Sequence, residues 1–268
     1  MINSITKAYM IRLKAAMKSI IASSIAYGVG IIMLAIIPGI LLPQLYTSAA
    51  RYALEALAAK LLGTNSANIP NEALGAVAAA IYTPYLATLI AAIVTSNTVS
   101  STLIEDRNEG VLEVLFSAPV SRRSITVALL FYTLLVALIV EALIMVTASG
   151  ISLLFLHLLG YLSSLSIYYV KLSIILTPSL TISASLISLI LTVIIPSLRG
   201  AKTGPAPGQN VLAGISMLPA LIPFIVLNIN PQMDPVELAL YTLMFSATLT
   251  SILLPLLPRI LKEEAFLR

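Results

Sequence analysis

The sequence predicts an all-α membrane protein. It has six transmembrane helices with both termini cytoplasmic, an amphipathic N-terminal interfacial helix, and a short cytoplasmic helix between spans two and three. Three observations carry this. Of 268 residues, 59% are hydrophobic and only 10% charged, where a soluble domain carries about 25% charged residues. Runs with at most one charge cover 19–42, 74–98, 124–149, 172–198, 211–228 and 238–257, each long enough for a helix to cross a hydrocarbon core of about 30 Å. Lysine and arginine collect in alternate connections, as the positive-inside rule requires.

The first element is "MINSITKAYMIRLKAAMK". Lys7, Lys14 and Lys18 fall on one helical stripe, and Ile5, Tyr9, Leu13 and Ala16 on another, which suits a helix lying on the inner membrane surface. Ser19–Leu42 then runs for 24 residues, beyond the about 7–15 residues of a signal-peptide core, so a retained first span is expected. Gln44–Leu62, outside, puts Leu54, Leu57 and Leu61 on one face and Arg51 and Glu55 at i,i+4. Gly63 follows as its stop.

Ile151–Val170 is apolar but follows span three without a polar loop. Without it as a span, the inner side holds Lys7, Arg12, Lys14, Lys18, Arg107, Arg122, Arg123, Arg199, Lys202, Arg259, Lys262 and Arg268. The outer side then holds Arg51, Lys60 and Lys171, a split of 12 to 3. Counted as a seventh span, the segment reverses everything after it and leaves 8 to 7. Six spans are therefore expected, with 151–170 extending span three and adding a surface element anchored by Tyr161, Tyr168 and Tyr169.

Pro38, Pro84, Pro178, Pro219, Pro223 and Pro255 fall inside spans, where each removes a backbone donor and predicts a kink or break. Pro219 and Pro223 together predict that span five is not a regular helix. "RGAKTGPAPGQN" is a Gly/Pro-rich inner loop. No internal repeat of the kind found in two-half secondary transporters is visible.

Several function classes fall away. There is no cysteine, hence no disulfide, cysteine metal site or thiol nucleophile. The net charge of +4 is spread along the chain, so no nucleic acid partner is expected. His157 is the one histidine and lacks the companions that zinc needs, so no metal site is expected. Pairing it with Ser216 as a membrane protease is a remote reading. No Gly-x-x-x-x-Gly-Lys-Ser/Thr phosphate loop occurs, and "GAKTG" lacks its Gly-Lys pair. The chain is not expected to be an enzyme.

The segment "EDRNEGVLEVLFSAPVSRRSI" concentrates charge between spans two and three. Val111, Leu112, Leu115 and Phe116 share one helical face. Glu105, Asp106 and Glu109 precede it, where acids suit a helix start, and Pro119 closes it. An inner loop needs charge for topology alone, but a solvent loop has no use for such an apolar face. A docking handle for a soluble partner does.

This segment resembles the loop between spans two and three of the ABC type 2 exporter permeases. Their pattern is a charged cluster, Glu-x-Gly-x-Leu-Glu, then Leu-x-x-x-Pro-Val-Ser-Arg. It is matched by Glu105, Arg107, Glu109, Gly110, Leu112, Glu113, Leu115, Pro119, Val120, Ser121 and Arg122. Glu109 directly precedes Gly110, and Val111 stands where the family often has Thr. "LILTVIIPSLRGAK" is a weaker match at the end of span four, with Pro196 unusual.

The resemblance implies a multi-pass permease subunit of the cell membrane. Its inner helix, including Phe116, would couple to a separate nucleotide-binding ATPase that holds ATP and Mg. No cofactor is expected on this chain. Partners would be that ATPase, a second permease chain (the same or a related paralogue) and the lipid bilayer. The competing expectation is an ATP-independent membrane carrier or scaffold whose inner loop binds another protein.

Glu141 is the one carboxylate deep in a span, where charge is costly; it is either a substrate- or proton-contacting group or polar glue between helices. Ala87, Ala91 and Thr95 recur every four residues, which permits close helix packing. Thr95, Ser96 and Asn97, with Met217 and Phe224, complete the expected pathway residues.

Overall fold

The computed structural model describes residues 2–41, 48–63, 69–111, 114, 122–194, 207–230 and 233–260. Seven helices account for nearly all of them: α1 (Ile2–Leu41), α2 (Ser48–Leu62), α3 (Asn71–Asn108), α4 (Arg122–Leu158), α5 (Ile167–Ile194), α6 (Pro207–Ile229) and α7 (Pro235–Ile260). Among the described residues there is no strand. All but α2 are long and apolar enough to cross a membrane, which makes six candidate spans and a multi-pass membrane protein.

Two expectations on the early chain meet different outcomes. The N-terminal amphipathic segment is not a separate helix: α1 runs unbroken through it. Its apolar stripe is used for packing instead, with Tyr9 and Leu13 buried and Lys7, Lys14 and Lys18 exposed. The α2 prediction matches in its buried face, its ion pair and its stop, over Ser48–Leu62. Leu54, Leu57 and Leu61 are buried, Arg51 Nε donates to Glu55 Oε1 at 2.8 Å, and Gly63 ends the helix at φ +62°, where a side chain would be strained.

The ambiguous segment resolves as an extension of α4 to Leu158. Gly160 terminates it at φ +80°. Its N–H donates to the His157 carbonyl at 3.0 Å and that of Tyr161 to Leu156 at 2.9 Å, the paired bonds of a Schellman end. A 3-10 turn, Leu162–Ser164, leads into α5. Tyr168 is exposed, but Tyr169 is no surface anchor. It is 2% exposed, and its hydroxyl donates to the Ile81 carbonyl of α3 at 2.8 Å.

The prolines are also accommodated. Helices continue through Pro84, Pro178, Pro219 and Pro223, and α1 and α7 through Pro38 and Pro255. Span five is a helix after all. Pro219 and Pro223 are both buried; four residues apart, they place their missing donors on one stripe and leave the other backbone bonds in register.

α3 is the hub, packed against α1, α2, α4, α5 and α6, while α7 leans mainly on α5. The α3 and α5 spans are each 61% buried and the α7 span 17%, so α7 is peripheral. Alternate helices pack as closely as consecutive ones: α4 lies against both α3 and α1. α1 and α4 run parallel, with Tyr9 against Tyr132 (ring centroids 5.3 Å) and Gly28 against Thr147 further along. α3 and α5 are also parallel, joined by Tyr169–Ile81, Thr181–Thr88 (3.3 Å) and Ser188–Ser96 (2.9 Å).

Gly28 is the closest approach in the α1–α4 seam. A Cβ there would overlap Thr147 Oγ1 and lie 2.9 Å from Thr147 Cβ. Overpacking of this kind costs about 1–3 kcal/mol. Gly28→Ala is expected to lower the melting temperature in mild detergent, and adding Thr147→Gly to restore most of the loss. Melting curves of both variants check this.

Candidate functional site

The ends of α1 and α3 that carry charge meet at one end of the bundle. Tyr9 Oη donates to Asp106 Oδ2 at 3.1 Å, and Arg12 Nη1 lies 2.5 Å from Asp106 Oδ1. Arg12 Nη2 reaches within 3.7 Å of Glu109 Oε2. Helical spacing makes this possible: Tyr9, Arg12 and Leu13 sit within one turn, and Asp106 faces α1 while Glu105 and Glu109 point outward. The Asp106 side chain is 2% exposed and that of Arg12 34%. Burial pushes the Asp106 carboxyl above its ordinary range, and Arg12 and Tyr9 pull it partly back.

Beyond this junction α3 stops at a glycine. Gly110 has φ +70°, a conformation that L side chains resist. Glu109 N–H still donates to the Glu105 carbonyl (2.9 Å), and Val114 N–H donates to that of Gly110 (3.1 Å), opening a new helical turn after the glycine. Val114 is 67% exposed, an apolar side chain offered to the surroundings. Leu112, Glu113, Leu115, Phe116 and Pro119 lie outside the described residues or side chains, as do the side chains of Arg107 and Arg122. The weaker motif, 189–202, is described only over 189–194, the end of α5, and its remainder lies outside.

The expected pathway residues do not converge. Thr95 and Ser96 are fully buried, and Ser96 accepts the Ser188 hydroxyl. Asn97, one residue on, is exposed, since consecutive helical residues point about 100° apart. Ala87 and Ala91 are buried packing positions. Met217 packs partly buried against the core. Phe224 stacks edge-on against Tyr82 (5.4 Å) and lines a lateral cavity of about 430 Å³ with Tyr27, Leu54, Leu86 and Ile90. Glu141 lies elsewhere, on α4 beside the Thr181 hydroxyl of α5.

Ser216 donates to the Leu212 carbonyl at 2.8 Å, and His157 sits exposed at the end of α4, so no nucleophile–base pair forms. No cluster of His, Asp and Glu suited to a metal ion occurs among the described residues. Sequence reasoning missed the Tyr9–Arg12–Asp106 junction because the partners are far apart in the chain. The buried stripe of Tyr9 and Leu13 was its one signal. No family model, curated protein or solved structure matches this chain.

Removing one partner of a buried ion pair costs about 3–5 kcal/mol; with Arg12 a third exposed, solvent screening brings the expectation for Arg12→Ala down to about 2 kcal/mol. Adding Asp106→Asn should recover most of that loss. The Asp106 carboxyl already sits above its ordinary range and rises further without Arg12. The deficit is therefore absent below the ordinary carboxylate range and grows as pH rises through the shifted value. Melting temperatures of the single and double variants at acidic and neutral pH check both the size and the sign.

Proposed function

We propose that this chain is the transmembrane permease subunit of an ATP-driven ABC exporter, lying in the cell membrane with both termini and the 101–123 segment on the cytoplasmic side. Two permease chains and two nucleotide-binding ATPase subunits form the working unit. The observation that carries this reading is the motif "EDRNEGVLEVLFSAPVSRRSI", which begins in the last turn of the long hub helix α3. The turn at Gly110, the helical restart and the exposed Val114 support its use as a docking element. The ion pair from Arg12 to Asp106 supports it further, since a docking element must be held firmly to transmit force.

On this reading ATP and Mg are held by the partner, and closure of the ATPase pair pushes on the segment after Gly110. The push passes into α3 and, through the Asp106 junction, into α1. The spans then exchange one packing for another. Substrate is exported between them.

Gly110→Ala introduces a side chain at positive φ, at a cost of about 1–2 kcal/mol, which corresponds to a loss of roughly 5- to 30-fold in ATPase association or coupling. Glu113→Ala should weaken the same association, and both variants should insert normally. The direct test is purification of the tagged chain from its native membrane, after crosslinking through residues 105–123, with mass spectrometry of what accompanies it. A stoichiometric phosphate-loop ATPase supports the exporter. Capture without any ATPase, or full transport by both variants, overturns it in favour of a carrier or scaffold.

A further inference from the structure

The carboxyl group of Glu141 has no ordinary place in an apolar span. The residue is 4% exposed, and its Oε2 has no hydrogen-bond partner among the described residues. It lies beside Thr181 of α5, whose hydroxyl is linked to Thr88 of α3 at 3.3 Å.

The surrounding protons can be assigned one by one. Thr88 donates to the Pro84 carbonyl at 3.1 Å. A carbonyl cannot donate, so the Thr88 oxygen can only accept from Thr181. The Thr181 proton is thereby spent, and its oxygen offers Glu141 a lone pair. Thr177 and Ser185, one turn either side of Thr181, donate to the Ser173 and Thr181 carbonyls, each at 2.7 Å. With the protons placed in this way none is left for a carboxylate, whose Oε2 would lack a donor at membrane depth. A carboxylic acid fits, because it donates its own proton to Thr181.

We propose that Glu141, Thr181 and Thr88 form a proton-binding site at the α3–α4–α5 junction, with Glu141 held as the neutral acid at neutral pH. The proton sits on Glu141, and the chain Glu141–Thr181–Thr88–Pro84 carbonyl runs in one direction.

Among the described side chains, nothing charged on the packed elements competes for it. On α1, Tyr9 and Arg12 are engaged with Asp106 and Tyr27 is exposed. On α3, Tyr85 lies near Thr242 of α7, its buried hydroxyl without a hydrogen-bond partner among the described residues. On α5, Tyr169 bonds Ile81. On α7, Tyr241 bonds Glu237 at the exposed surface.

An apolar cavity opens one helical turn from the site. On α4, Met145 and Ser149 follow Glu141 at four-residue intervals, and Thr177 and Ser173 precede Thr181 at the same interval on α5. Thr177 Oγ1 lies 3.8 Å from Met145 Sδ. Met145, Ser149 and Ser173 line a cavity of about 380 Å³ together with the exposed Val146 and Ile174. A hydrophobic reagent can enter there from the lipid face.

The test uses the full chain reconstituted in ether-linked lipid, which lacks ester carbonyls. Infrared spectra at neutral pH are expected to show a protonated-carboxyl carbonyl band in the wild type that is missing in Glu141→Gln. Dicyclohexylcarbodiimide, which attacks protonated buried acids, is expected to label the Glu141 peptide, and labelling should fall as pH rises. Should Glu141→Gln fail to insert, Thr181→Val serves, because loss of the acceptor must move the band to higher frequency. Identical spectra for wild type and Glu141→Gln, an unmoved band in Thr181→Val, or an unlabelled Glu141 would each overturn the proposal.

Discussion

A polar group at membrane depth has no water to turn to, and the structure is arranged around that shortage. Serine and threonine are abundant in the spans, yet most spend their proton on their own helix. Thr83, Thr133, Ser152, Ser173, Thr192 and Ser216 all donate to the carbonyl four residues back, at 2.6 to 2.8 Å. Hydroxyls satisfied in this way are small neutral packing groups, and helices approach closely across them. The few that reach another helix mark the seams. Thr181–Thr88 and Ser188–Ser96 join α5 to α3, and Ser246 bonds both Ser179 and Ser183 to bring α7 onto α5. Each such bond adds on the order of 0.6 kcal/mol in a membrane bundle, so several together select one register without locking it.

Parallel packing of alternate spans follows from the same economy. α3, α5 and α7 share one direction and are linked by hydroxyl rungs. α1 and α4 share the other and are linked by apolar contact, with Gly28 admitting Thr147. Among the described residues, the one ion pair that ties two long helices together, Arg12 with Asp106, lies past the apolar part of α3. Charge is kept to the rim, where water can share its solvation cost, while the carboxyl group of Glu141 lies buried in α4.

What was legible in the sequence is what depends on near neighbours in the chain. Span existence follows from length and hydropathy. The α2 face, the Arg51–Glu55 pair and the Gly63 stop follow from local spacing. Failures arose where distant partners decide the outcome. Tyr169 reads as an interface residue because tyrosine is amphipathic, yet the Ile81 carbonyl takes its hydroxyl into the core. The N-terminal stripe reads as membrane-surface helix because Tyr9 and Leu13 give no hint of which apolar surface will receive them. Two prolines read as a break because spacing alone does not reveal that both face the interior. At the candidate site, the motif beginning at Glu105 was readable as a pattern, but Asp106, its buried member, was not distinguishable from its exposed neighbours Glu105 and Glu109.

The length of α3 has a mechanical consequence. Its 38 residues make one rod of about 57 Å at about 1.5 Å per residue. Thr88 and Asp106 are fixed points on that rod, one bound to α5 and the other to α1. A stiff bar held at two separated points turns a small displacement at its tip into rotation about the nearer point, and moves the far end oppositely. With Arg12 as fulcrum, a sideways load past Gly110 reaches the Thr88–Thr181 contact reversed in sense. The tip and the interior seam are thus opposite arms of a single lever.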